Sequence, residues 1–174
     1  MTAAYAEHLL GLEKFITVDG TIVRTLHLSL TSPLSIHWKL KAPTEMELDL
    51  RVEIQESPKK ALKIGFHHQD DTSQHGLLRV DYHSRHRNPA AITNAVPQEF
   101  HPYVGIFLDD WPGHIHYVVD GYPTLAWAIP LEMDAFPVKD IQGMDHLYNA
   151  VLAFCKRLNI ATEITIDNPQ LRVL

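Results

Sequence analysis

Glu45-Met46-Glu47-Leu48-Asp49-Leu50-Arg51-Val52-Glu53-Ile54 alternates charged and apolar residues without a break. Successive side chains of a strand point to opposite faces, so this stretch has one dry face and one wet face. It predicts a strand over 46–54 with Met46, Leu48, Leu50, Val52 and Ile54 buried. Such alternation belongs to an antiparallel sheet covered on one side. The acidic stripe Glu45, Glu47, Asp49 and Glu53 would then be solvated, or would dock a basic partner.

The same period recurs outward from this stretch. Pro33 and Pro43 bracket a strand in which Leu34, Ile36, Trp38 and Leu40 alternate with polar residues. After the turn Ser57-Pro58-Lys59-Lys60, the residues Leu62, Ile64 and Phe66 continue the pattern, and a polar loop, Gln69 to Gly76, leads to a strand over 77–83. Upstream, Val18-Asp19-Gly20-Thr21 is a hairpin turn, because Asp-Gly tolerates positive φ. It joins runs at 15–18 and 21–30. Downstream, Asp109 to Gly113 and Asp120 to Pro123 are turns flanking strands at 114–119 and 124–129, which makes a meander. Residues 84–100 form a long loop, and a last short strand is expected at 170–174.

Two segments carry helical periodicity. Residues 3–13 place Tyr5, Leu9 and Leu12 on one face. Residues 143–158 carry Met144, Leu147, Tyr148, Val151, Leu152, Cys155 and Leu158 as a stripe at spacings of three and four. The expected fold is therefore α+β: a mainly antiparallel twisted sheet packed on a long C-terminal helix, with a short N-terminal helix. Residues 1–174 read as a single domain.

Composition narrows the function. The 174 residues include 15 Lys and Arg against 21 Asp and Glu, for a formal net charge of -6. That excludes a broad basic footprint for duplex nucleic acid, although 12 histidines add positive charge near pH 6. One cysteine, Cys155, rules out a disulfide within the chain and fits a reducing, cytoplasmic setting. No apolar run approaches the ~18 residues of a membrane span, so no membrane partner is expected. Gly-rich phosphate loops, G-x-S-x-G, H-E-x-x-H and Cys-x-x-Cys are absent from the sequence.

Histidine is the unusual count, and two segments concentrate it. In Arg79-Val80-Asp81-Tyr82-His83-Ser84-Arg85-His86-Arg87-Asn88-Pro89, strand parity puts Arg79, Asp81 and His83 on one face. The row offers a fixed cation, a carboxylate and an imidazole. In Gly113-His114-Ile115-His116-Tyr117, parity pairs His114 with His116. A His-x-His pair on a strand can supply two metal ligands, or an acid and a base acting on one phosphate. His101 stands as a further contributor to either set. His67 and His68 read as a strand end, and the remaining histidines as structural or solvated.

Ile106-Phe107-Leu108-Asp109-Asp110-Trp111-Pro112-Gly113-His114-Ile115-His116 resembles the Asp-His-x-Pro-Pro-His-x-His signature of a domain of unknown function found near toxin–antitoxin genes. Trp111 stands where that signature has His, and Gly113 where it has the second Pro. Arg79 to His86 resembles the Arg-x-Asp, His-rich stretch of TumE-like toxins. The resemblance implies a toxin-like or defence-associated protein acting on RNA, and it carries over to His114 and His116.

Three readings follow. The first is a phosphodiester-cleaving, RNase-like enzyme. His83 or His86 is the base, His114 or His116 the acid, and Arg79, Arg87 and His101 bind the RNA. The second is a metal-binding protein or metal-dependent hydrolase, with His114, His116 and Asp81 or His83 holding a divalent ion such as zinc. The third is a non-enzymatic interaction module, an antitoxin, immunity or adaptor protein. Its acidic face docks a protein partner, and its histidines are incidental.

Overall fold

A computed structural model of the chain describes residues 1–31, 33–59 and 62–167. The expected strand at 170–174 lies outside them, as does Lys60 of the turn after the opening strand. The elements are α1 (Ala3–Gly11), β1 (Phe15–Val18), β2 (Thr21–Ile22), β3 (Thr25–Ser29), β4 (Ser35–Lys41), β5 (Leu50–Glu56), β6 (Ile64–Asp70), β7 (His75–Tyr82), β8 (Gly113–Tyr117), β9 (Trp127–Pro130), α2 (Met144–Arg157) and β10 (Glu163–Asp167). Short 3-10 helices occupy Gln98–Tyr103 and Leu131–Met133. The class is α+β, with an eight-stranded antiparallel sheet ordered β2-β1-β4-β5-β6-β7-β8-β9. β3 and β10 form a separate parallel pair.

Register assigns the two faces of the large sheet. Ile36, Ile54, Phe66, Val80, Ile115 and Ile129 align across six strands and are all buried. α2 covers this dry face: the rings of Phe66 and Phe154 lie 5.4 Å apart. Behind the sheet, the fully buried Lys14 ammonium donates to Leu10 O, Leu12 O and Leu158 O at 2.7–3.0 Å. It thereby ties together carbonyls at the C-terminal ends of both helices, where a cation is favoured. Burial lowers the pKa of this amine to about 8.

Several expectations need correction. The alternating strand begins at Leu50, not at Met46: Met46 is exposed and Leu48 half-buried. Residues 42–48 turn instead, with Glu45 N on Ala42 O and Leu48 N on Glu45 O. The Lys41 ammonium gathers Met46 O, Leu48 O and the Asp49 carboxylate over that turn. The C-terminal helix is short, 14 residues, and Ala150 and Phe154 are buried along it while Leu152 is half-buried and Met144 exposed. α1 turns Ala6, Leu9 and Leu10 inward and leaves Tyr5 exposed. Within the acidic stripe Glu47 and Asp49 stay exposed, Asp49 pairs with Lys41 at 2.6 Å, and Glu53 pairs with Arg51 at 3.3 Å and His37 at 3.5 Å. His67 and His68 lie inside β6 rather than at its end. No helix among the described residues is long and apolar enough to cross a membrane.

Candidate metal centre

The wet face of the sheet carries the site, and register builds it. Glu53, His67, Arg79 and His116 align across β5, β6, β7 and β8. In the adjacent row, Gln55, Gly65, Asp81 and His114 align across the same strands. Arg79 and Asp81 thus stand directly opposite His116 and His114: parity gives the shared face within each strand, and the β7–β8 register brings the two faces together.

One ligand atom each from Asp81, His114 and His116 falls within 4.8 Å of the others. Asp81 Oδ2 lies 3.2 Å from His116 Nε2 and 3.6 Å from His114 Nε2. Two ligand atoms about 2.0–2.1 Å from a tetrahedral ion stand about 3.3 Å apart, so both separations suit the edges of such a tetrahedron. All three side chains are almost entirely enclosed, with relative exposures of 4%, 1% and 5%.

The hydrogen bonds around these groups fix what each can do. His116 Nδ1 donates to Leu125 O at 2.9 Å, which directs Nε2 at Asp81. A ligand imidazole is commonly oriented through its second nitrogen in this way. Arg79 Nε donates to Asp81 Oδ1 at 3.0 Å and stands 2.8 Å from Oδ2 as an ion pair. Burial pushes the Asp81 carboxyl up, but the bonds from His116 and Arg79 outweigh it and hold the pKa at about 2. His114 differs: both of its ring nitrogens are buried without a hydrogen-bond partner among the described residues. Burial, and then the neighbouring His116, lower its pKa to about 3, so near neutrality it is an uncharged imidazole.

His86 completes the cluster from outside the sheet. Its ring stacks on His114 at 5.7 Å and meets His116 edge-on at 4.5 Å. Its Nε2 donates to Asn88 Oδ1 and Ala126 O, both at 3.1 Å, leaving Nδ1 as the basic atom. Burial, and then His116, lower its pKa.

The other expected residues go elsewhere. His83 takes a positive φ of 50°, which ends the strand parity at Tyr82. Its Nε2 bonds Ile141 O at 3.2 Å and lies 3.1 Å from Asp140 Oδ1. Arg87 lies exposed over the Phe107 ring and donates to Gly105 O. His101 is exposed and bonds Val96 O within its own turn. His67 joins the Arg79 row through the β6 register, which no local signal in the sequence fixes.

A cavity of about 410 Å³ adjoins the cluster over β5 to β7, bordered by Lys63, Gly65, His67, Arg79, Asp81 and Ser84 among others. Gly65 leaves room at its edge, since a Cβ there would stand 3.0 Å from Asp81 Oδ1 and push that carboxylate aside by a few tenths of an ångström. A family model described as a family of unknown function (DUF6978) matches residues 1–160. No curated protein and no solved structure matches the chain.

Proposed function

We propose that this chain, which belongs to the DUF6978 family, is a metal-dependent hydrolase whose divalent ion is held by Asp81, His114 and His116. The observation that carries the reading is His114. A fully buried imidazole with two unpartnered nitrogens costs roughly 1–3 kcal/mol for each unmet group. A cation shared with Asp81 Oδ2 and His116 Nε2 turns one of them into a ligand atom. The imidazole–carboxylate donor set suits zinc or ferrous iron.

When bound, such an ion would supply Lewis acidity, lowering the pKa of water on it toward 7. The chain's own groups then divide the work. Asp81 and Arg79 would set the charge around the ion, Leu125 O orients His116, and His86 Nδ1 is the base beside the cluster that would take up a proton. The test is metal analysis of protein purified without a histidine tag. The expected result is one equivalent of bound metal, lost in His114→Ala and Asp81→Asn variants that remain folded. Metal content unchanged by both substitutions defeats the proposal.

A second reading is favoured by the 3.2 Å approach of His116 to Asp81. Protonated His116, held by that carboxylate, is an acid beside the base His86, and the pair would cleave an RNA phosphodiester without metal. Cleavage of single-stranded RNA that persists after chelation and dialysis selects this reading over the first.

A further inference from the structure

The cavity beside the cluster mixes charges, yet its carboxylates are engaged. Glu53 pairs with Arg51 at 3.3 Å and with His37 at 3.5 Å. Glu56 accepts from the backbone N–H groups of Leu34 at 3.1 Å and Leu62 at 3.3 Å. Asp81 is held by Arg79. The cations are less committed. Arg79 uses its Nε–H on Asp81 and keeps a side chain that is 45% exposed. Its terminal nitrogens hold four further N–H donors in a planar fork suited to oxyanions. Lys63 and the Ser84 hydroxyl border the same space. Gly65 contributes no side chain, so the edge of the cavity nearest Asp81 stays open.

We propose that this cavity is the substrate pocket, and that Arg79, Lys63 and Ser84 bind in it an oxyanion, a phosphate or a carboxylate, of a small substrate. The inference rests on the metal-centre reading for what is done to that substrate, but not for how it is held. Arg79 is then shared. One edge of its guanidinium orients Asp81, and the other receives the anion next to the reacting bond.

Isothermal titration of the full chain, metal-free and zinc-loaded, with inorganic phosphate and separately with acetate tests this. At least one anion should bind both forms. Charge-assisted hydrogen bonds of ordinary strength predict about tenfold weaker binding in Lys63→Met, and a larger loss in Arg79→Gln. Preference for phosphate identifies a phosphoryl substrate, and preference for acetate a carboxylate. Saturable binding of neither anion, or binding indifferent to both substitutions, overturns the inference. Zinc stoichiometry measured on the same samples separates the two proposals. Anion binding without zinc binding removes the metal centre and leaves the pocket standing. Zinc binding without anion binding does the reverse.

Discussion

Asn88 closes the edge of the sheet at Ala128: its Oδ1 accepts from Ala128 N at 2.9 Å and its Nδ2 donates to Ala128 O at 2.8 Å. The side chain thus replaces a missing strand beyond β9, and it also bonds Tyr103 O and His86 Nε2. Exposed strand edges invite unwanted pairing, and a side-chain amide is one way to cover one. Asn88→Ala leaves a buried N–H and a buried C=O unpaired, and should cost about 2–4 kcal/mol by urea denaturation. If the centre depends on His86, the variant should also lose activity beyond what its residual folded fraction explains.

Gly65→Ala brings a methyl group to within 3.0 Å of Asp81 Oδ1. The carboxylate must shift by a few tenths of an ångström, so metal affinity should fall several-fold with little change in melting temperature. Competition with a fluorescent zinc chelator reads the affinity. An unchanged affinity would mean that Asp81 is not a ligand.

In the proposed metal centre Arg79 would act through Asp81, which it holds. Loss of an outer partner of a metal ligand commonly costs 10–100-fold in affinity. Arg79→Met should fall in that range by the same competition assay. A loss below twofold would show that Asp81 needs no such support.

His68 gives a pH signature separate from the centre. It lies on the dry face, fully enclosed, with Nδ1 on Arg51 O. Burial is the main cause that pushes its pKa down to about 3. The unfolded chain takes up this proton near pH 6.5 while the folded chain does not. Stability is therefore fully present above about pH 6.5 and falls as pH drops toward 3. Between pH 4 and 6, His68→Leu should flatten the dependence of unfolding free energy on pH by about one proton, ~1.4 kcal/mol per pH unit. Parallel wild-type and variant curves would place the acid sensitivity elsewhere.

The parts of the fold and site that obey strand parity were legible in the sequence. Leu50, Val52 and Ile54, the Asp19-Gly20 hairpin, and the shared faces of Arg79 with Asp81 and of His114 with His116 all follow from period two. Parity is blind to where a strand begins. Met46 and Leu48 fit the pattern, yet the Lys41 ammonium holds that backbone in a turn. Parity also fails beyond a strand's end, which is why His83 departs after one residue of positive φ. His67 was missed because its neighbours depend on the β6–β7 register, a property of two distant segments. His86 reaches the cluster from a segment outside any strand, and that path is set by tertiary bonds to Asn88 and Ala126.

The direct opposition of Asp81 and His114 also bears on how the chain folds. The two residues are neighbours in space but stand at either end of the long connection between β7 and β8. An ion gripping both would behave as a covalent staple does, shrinking the conformational freedom of the unfolded chain. For a loop of roughly 30 residues the chain-entropy estimate is about 4 kcal/mol. A protein whose lone cysteine is buried has no disulfide of its own with which to close that loop. Metal supply in the cell would then set how much of the protein survives proteolysis, whatever reaction it performs.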